Sequence, residues 1–139
     1  RRERVKQAGA ALEEVGIPAD RHPINAWPGD FSGGMLQRAA IACALLGSPE
    51  LLVADEPTTA LDTSTQKRVV DLLAALNRSR NMAILFITHD LGLLKQLATR
   101  VLVMRAGELV ESGPVTDVLT NPRHPYTRDL VEALPKLRL

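Results

Sequence analysis

Two adjacent carboxylates, Asp55 and Glu56, are the side chains of this sequence best placed to do chemistry. They follow four consecutive apolar residues at positions 51–54, a pattern that predicts a buried parallel strand. Open α/β sheets bind ligands at the carboxyl ends of such strands, and a carboxylate pair buried there needs a compensating cation. Nucleotide-bound magnesium would meet that need, with one carboxylate in the metal shell and the other polarising water. The alternative is a strand followed by a solvated Asp-Glu turn, and the pair alone favours neither interpretation.

A second candidate site lies upstream, at residues 31–38, which read FSGGMLQR. Ser32 is a natural helix N-cap, and Gly33 and Gly34 would let bare backbone N–H groups approach an anion at the positive end of a helix. Taken alone, the octet is better explained by an ordinary turn before a helix. The apolar positions of that helix fall on one predicted face: Leu36, Ala39, Ala40, Cys43 and Leu46. Cys43, the single cysteine, is therefore predicted to be a reduced, buried thiol.

Two further polar segments follow the carboxylate pair. The first is residues 60–62, which read ALD, and Asp62 is predicted to cap the next helix. The second begins after another apolar strand, at residues 83–87, and contains His89. A histidine just beyond a parallel strand can reach the crevice in which Asp55 and Glu56 are expected, although a lone histidine is more often structural.

The surrounding pattern alternates helices with strands, which predicts an α/β fold with a mainly parallel sheet. Helices are predicted at residues 5–15, 34–46, 62–76, 91–98, 115–119 and 126–134, and residues 77–81 are predicted to break the third of them. Strands are predicted at residues 51–55, 83–87, 100–104 and 108–110, with a turn at residues 105–107. A Pro- and Gly-rich loop is expected at residues 20–30.

Composition excludes several classes of protein. Among 139 residues, 17 basic and 16 acidic side chains give a net charge of +1, which offers no electrostatic case for nucleic acid. Only four residues are aromatic, too few for a base-stacking surface: Trp27, Phe31, Phe86 and Tyr126. No apolar run approaches the length of a membrane span. His22, His89 and His124 are too scattered to predict a zinc site, and a hydrolase triad is disfavoured because Gly-x-Ser-x-Gly is absent.

In this order, the motifs resemble the nucleotide-binding domain of ATP-binding cassette (ABC) transporters. Residues 31–35 look like the signature motif of that family, residues 51–56 like its Walker B strand with the catalytic glutamate, residues 60–62 like its D-loop and His89 like its switch histidine. The resemblance implies an α/β fold like that of P-loop NTPases, ATP and Mg²⁺ as cofactors, and a dimer of ATPase subunits. Phe31 and Met35 depart from the commonest signature, LSGGQ, but the Ser-Gly-Gly core is intact.

The resemblance also implies a role for each candidate residue. Glu56 and His89 would be catalytic, the first acting on the attacking water and the second contacting the γ-phosphate. Asp55 would bind magnesium. Residues of the signature motif, Ser32, Gly33 and Gly34, would contact a nucleotide held by the opposite subunit, and Asp62 would bridge the two sites.

The end of the chain is similar to that of the ATPases of dipeptide, oligopeptide and nickel importers, on the strength of residues 121–127 (NPRHPYT) and the segment that follows. The implied organisation is part of a helical subdomain at residues 1–30, the ATPase core at residues 31–113 and a C-terminal helical tail at residues 114–139. The implied partners are a second ATPase subunit, membrane permease subunits and, indirectly, a solute-binding protein, with no nucleic acid. Such a subunit would sit peripherally on the cytoplasmic face of the inner membrane.

The sequence lacks the phosphate-binding loop G-x-x-x-x-G-K-[ST]. The chain is therefore expected to be the C-terminal part of a longer ATPase and to be inactive by itself. Two alternatives from other classes stay open: a soluble cassette ATPase of DNA repair or translation, and a catalytically silent fragment that serves as an interaction module. Peptide and nickel cannot be distinguished as substrates, because other subunits would select them.

Overall fold

The computed structural model describes residues 1–18 and 24–134, which divide into two compact units between Ile87 and Thr88. The first contains helices α1 (Arg2–Glu14), α2 (Gly33–Leu45) and α3 (Thr63–Arg80), strands β1 (Leu51–Asp55) and β2 (Ala83–Ile87), and a short 3-10 helix (Pro28–Asp30). The second contains α4 (Leu91–Leu97), β3 (Arg100–Arg105), β4 (Glu108–Pro114), α5 (Val115–Thr120) and α6 (Pro125–Glu132). The predicted α/β class is confirmed. His22 lies outside the described residues.

Strands β1 and β2 pair in parallel, as the sequence predicts, with Leu51 beside Ala83 and Asp55 beside Ile87. Their burial alternates, so that Leu52 and Ala54 are buried whereas Leu51 and Val53 are 53% and 55% exposed. The prediction of a fully buried strand is therefore wrong for these residues, because only one face of the pair is covered. The carboxylates of Asp55 and Glu56 are likewise exposed rather than buried.

Helix α2 buries the side opposite to the one predicted. Its buried residues are Gly34, Ile41, Ala42 and Leu45, whereas Leu36, Ala40 and Leu46 are exposed. Cys43 is also exposed, so the prediction of a buried thiol is wrong. The helix is apolar on most of its circumference, and periodicity therefore could not choose the face that packs.

The ends of α1 and α3 are fixed by left-handed residues. Gly16 has a φ of +73°, its N–H donates to the Glu13 carbonyl and the Ile17 N–H donates to the Leu12 carbonyl, the pattern of a Schellman motif. Helix α3 runs through residues 77–80, which the sequence predicts as a break, and ends where Asn81 adopts a φ of +48°. Among the described residues of the first unit, the apolar core consists of Ala11, Val15, Ile17, Ile41, Ala42, Leu45, Leu52, Ala54, Val69, Val70, Leu73, Leu76 and Met82.

In the second unit, β3 and β4 form an antiparallel hairpin whose turn places Ala106 and Gly107 at φ +50° and +83°. Two positive φ values match the right-handed twist of the paired strands. Glu111 of β4 holds the start of α6, since its carboxylate accepts the backbone N–H groups of Arg123 at 2.9 Å and His124 at 3.0 Å. The Thr127 hydroxyl and the Arg123 N–H hold the pKa of the Glu111 carboxyl below its usual range. His124 is the N-cap of α6, and its Nδ1 accepts the Tyr126 N–H at 3.2 Å.

None of the helices in the described ranges is long and apolar enough to cross a membrane.

Candidate functional site

The carboxylate pair stands at the carboxyl end of β1. Asp55 is the last residue of the strand, and Glu56 follows it with a φ of +44°, which is unusual for a residue with a side chain. The Glu56 N–H donates to the carbonyl of Ile87, the last residue of β2, at 3.0 Å. This bond continues the ladder one residue past the strand, while the left-handed backbone turns the chain away. Strain of this kind persists where the surrounding structure holds it, and it often marks functional sites.

The Glu56 side chain is exposed and is held by the residue three positions later. The Thr59 hydroxyl donates to Glu56 Oε2 at 2.9 Å, and the Thr59 N–H donates to the Glu56 carbonyl at 3.3 Å. No motif in the sequence singles out Thr59. A hydroxyl residue in a Pro-containing turn was the available signal, since such side chains bond to nearby groups in turns.

A second turn, residues 60–65, carries Asp62 and is called the Asp62 turn below. Asp62 is exposed and caps α3, as predicted: its Oδ1 accepts the Ser64 hydroxyl at 2.7 Å and the N–H groups of Ser64 and Thr65 at 3.0 Å each. The hydroxyls of Thr65 and Ser64, together with these N–H groups, hold the pKa of the Asp62 carboxyl well below its usual range. This carboxylate is therefore charged at neutral pH, and its hydrogen bonds hold the Asp62 turn in place.

The signature turn, residues 32–34, begins α2 as predicted. Ser32 is its N-cap, and its Oγ accepts the Met35 N–H at 3.3 Å. Ser32 and Gly33 are exposed, so the first N–H groups of the helix face solvent and can receive an anion. Gly34, in contrast, is buried, although the predicted approach of its backbone N–H to an anion would require exposure.

The signature turn lies against the Asp62 turn within the first unit. A Cβ built on Gly33 would stand 3.7 Å from Leu61 Cδ2, an ordinary contact. A Cβ built on Gly34 would overlap Cγ2 of Thr65. Glycine at position 34 is therefore required by packing against α3, a reason that the sequence alone did not reveal.

His89 belongs to the second unit and is exposed. The chain around it is ordered by capping: the Thr88 hydroxyl accepts the Asp90 N–H at 2.9 Å, and Asp90 caps α4 by accepting the Gly92 N–H at 2.9 Å. These bonds fix the backbone on both sides of His89 and leave its side chain accessible.

The donor set suits a hard cation that keeps most of its water. Asp55 and Glu56 offer exposed oxygen ligands, and Mg²⁺ in nucleotide sites takes one or two carboxylates, with waters and phosphates completing its octahedron. Among residues 1–18 and 24–134, no group of three or more His, Cys, Asp or Glu side chains could hold a metal by protein ligands alone. The residues therefore fit magnesium bound together with a nucleotide, and they do not fit a closed metal site.

A parallel strand pair ending in carboxylates and a helix beginning at an exposed Ser-Gly turn are both typical of α/β proteins that bind nucleotides. Known families match the sequence at both ends. The family described as ABC transporter matches residues 2–59, and the family described as oligopeptide/dipeptide transporter, C-terminal region, matches residues 110–139.

Three relatives extend the match to nearly the whole chain. A protein of Brucella melitensis, named as a peptide import ATP-binding protein, is 50% identical over 99% of this chain. The oligopeptide transport ATP-binding protein of Bacillus subtilis is 48% identical over 95%, and the dipeptide transport ATP-binding protein of Lactococcus lactis is 48% identical over 94%. The chain spans 40%, 37% and 38% of the lengths of these relatives.

Two solved structures of ABC proteins are similar to this chain in fold. A metal-chelate type ABC transporter in an inward-facing conformation superposes with a TM-score of 0.78 and 28% identity, over 94% of this chain and 49% of that one. A dimeric, post-hydrolysis ATP-binding cassette bound to ADP and Pi superposes with a TM-score of 0.69 and 32% identity, over 82% and 48%. The chain is therefore similar to the ATP-binding proteins of the ABC transporter family, and its end is similar to the C-terminal region of oligopeptide and dipeptide transporters.

Proposed function

We propose that this chain forms part of the ATP-hydrolysing subunit of an ABC importer that takes up peptides. The observation that carries the proposal is the position of Glu56, an exposed carboxylate on a left-handed residue at the end of a parallel strand pair, held by the Thr59 hydroxyl. The three relatives are all named as peptide transport ATP-binding proteins, which favours peptides over nickel and transport over repair or translation.

Within this proposal, Glu56 orients the attacking water and accepts its proton. The Thr59 hydroxyl, which donates to Oε2, helps to fix the orientation of this carboxylate. Asp55 would hold Mg²⁺, and His89 would donate a hydrogen bond to the γ-phosphate. Mg²⁺-ATP, when bound, supplies the phosphoryl group and the divalent charge that neutralises it.

The signature turn is proposed to serve a second subunit. Its exposed N–H groups and the Ser32 hydroxyl suit the γ-phosphate of a nucleotide held by the opposite subunit, and Asp62 orders the neighbouring turn that would bridge the two sites. The solved neighbour that is dimeric and bound to ADP and Pi supports the dimer on which this arrangement depends. Closure of the dimer on ATP and its opening after hydrolysis would drive permease subunits at the cytoplasmic face of the membrane.

The proposal includes a phosphate-binding loop supplied by other residues of a longer protein, since the 139 residues contain none. Such a loop and its lysine position the phosphates, and this positioning provides most of the rate in these enzymes. We accordingly expect no meaningful ATP hydrolysis by the 139-residue chain alone, and hydrolysis by the full-length protein that contains it.

The test compares two carboxylate variants in the full-length protein. Glu56→Gln should lower steady-state phosphate release by roughly 100-fold or more, the usual scale for a positioned base, and leave nucleotide binding largely intact. The matched control is Glu50→Gln, because Glu50 is also exposed and stands at the opposite end of β1. This control should keep wild-type turnover. Wild-type turnover in Glu56→Gln, or robust hydrolysis by the 139-residue chain alone, would refute the mechanism.

A further inference from the structure

Thr65, which no motif singles out, contacts both turns of the candidate site. Its backbone N–H donates to Asp62 Oδ1 at 3.0 Å, and its hydroxyl contributes to the low pKa of the Asp62 carboxyl. Its Cγ2 methyl occupies the space in which a Cβ on residue 34 would stand. Thr65, in the first turn of α3, therefore contacts Asp62 through its backbone N–H and Gly34 through its methyl group.

The contact at Gly34 is narrow. Beyond the overlap with Cγ2, a Cβ on residue 34 would stand 3.6 Å from Thr65 Cβ and 3.8 Å from Thr65 Oγ1, both of which are ordinary distances. The whole conflict therefore rests on one methyl group. Threonine in a helix favours only two χ1 rotamers, so little rotation is available to clear this space.

We infer that Thr65 is a positioning residue that sets the distance between the signature turn and the Asp62 turn. The inference rests on the proposed function, because these turns matter for hydrolysis only if the protein is an ATPase of this family. On this inference, Gly34 is a glycine because its missing Cβ leaves room for the Thr65 methyl group. This role is distinct from letting the backbone N–H approach an anion. A shift of the Asp62 turn would then move the signature turn with it.

Two interpretations of Gly34 make opposite predictions for a double variant. If a Cβ at position 34 is harmful because it meets the Thr65 methyl, removing that methyl should restore function. If it is harmful because it blocks the approach of a phosphate, changing Thr65 should restore nothing. Thr65→Ser removes the methyl and keeps the hydroxyl, whereas Thr65→Val keeps a branched carbon at the contact and removes the hydroxyl.

The experiment measures kcat and the KM for ATP in the full-length protein for Gly34→Ala, Thr65→Ser, Thr65→Val and both double variants, with thermal unfolding as the check on folding. Gly34→Ala should lower kcat by roughly tenfold or more, the scale of an overpacked contact, with KM changed by less than about twofold. Gly34→Ala/Thr65→Ser should recover to within about threefold of Thr65→Ser alone. Gly34→Ala/Thr65→Val should stay as slow as Gly34→Ala.

Each outcome decides the inference. Rescue by Thr65→Ser together with failure of Thr65→Val supports it, because a role in stability alone would restore the unfolding temperature without restoring kcat. A double variant with Thr65→Ser that stays slow, or a Gly34→Ala protein with wild-type kcat, overturns the inference and leaves the proposed function standing. If the wild-type full-length protein does not hydrolyse ATP, the proposed function fails and the positioning role falls with it.

Discussion

Arg38 joins the helix that begins at the signature turn to the end of α1, and its removal should be costly. Its Nη1 donates to the carbonyls of Val15 at 3.0 Å and Gly16 at 2.8 Å, and its Nε donates to the Gly34 carbonyl of its own helix at 3.3 Å. Val15 is 1% exposed, so its carbonyl has little access to water as a replacement partner. The guanidinium group therefore donates hydrogen bonds to the carbonyls at the end of α1 and to a carbonyl in the first turn of α2.

The expected cost follows from these three bonds. A hydrogen bond from a charged donor contributes about 1.5–3 kcal/mol when buried, and less when solvent competes for it. The bond to Gly16 is exposed and the bond to Gly34 is long, so we expect about 2–4 kcal/mol for the loss of all three in Arg38→Met. That loss is a large share of the roughly 5–15 kcal/mol that stabilises an ordinary domain. Arg38→Lys keeps the charge but cannot reach several carbonyls at once, so it should recover about half of the loss.

Equilibrium urea unfolding followed by circular dichroism measures this effect. Trp27 is a poor fluorescence reporter for the purpose, because it is 78% exposed in the folded protein. The matched control is Arg68→Met, since Arg68 is an exposed cation in α3, and this change should alter stability by less than about 0.5 kcal/mol. If Arg38→Met unfolds at the same urea concentration as the control, the carbonyls of α1 do not depend on Arg38 and the reasoning is wrong.

Two further predictions concern the same unit. The hydrogen bond and charge of Arg80 hold the pKa of the Glu14 carboxyl below its usual value of 4.5. As pH falls, Glu14 is therefore protonated in the unfolded chain before it is protonated in the folded protein. The stabilisation from this ion pair is present above about pH 4.5 and is lost as pH falls through the pKa of the folded state. Glu14→Gln should therefore flatten the decline of the urea midpoint between about pH 5 and pH 3, whereas Glu13→Gln should leave that decline unchanged. The neighbours Leu45 and Leu46 are 1% and 53% exposed. Leu45→Ala should therefore lower the free energy of unfolding by about 2–4 kcal/mol, and Leu46→Ala by less than about 1 kcal/mol. Equal losses of stability in urea unfolding would contradict the observed buried face of α2.

Local signals in the sequence predicted the elements that carry the candidate site. The bounds of β1 and β2 and the caps at Ser32 and Asp62 were predicted correctly, because capping and strand ends depend on residues a few positions apart. The overlap of the Thr65 methyl with a Cβ on Gly34 could not be predicted in this way. It depends on how closely two helices approach, and that distance is a property of tertiary packing.

Helix α2 illustrates why burial was harder to predict than helix position. Its predicted face and its buried face are both apolar, so the hydrophobic pattern allows either side to pack. The close approach of α3 at Gly34 turns the side of Ile41 and Leu45 inward, and this leaves Cys43 exposed. The sequence predicts that Gly34, in the first turn of α2, lets the backbone approach an anion. In the structure, Gly34 also lies on the side of the helix that packs against α3.

In the strand pair of the first unit, as in α2, the hydrophobic pattern does not predict which side chains are buried. The sequences of β1 and β2 are apolar at both alternating sets of positions, which is typical of parallel strands that are covered on both faces. In the structure, Leu51, Val53, Leu85 and Ile87 are between 43% and 55% exposed, so one face carries apolar side chains without cover among the described residues. Apolar side chains at such positions are explained physically if further structure packs on that face.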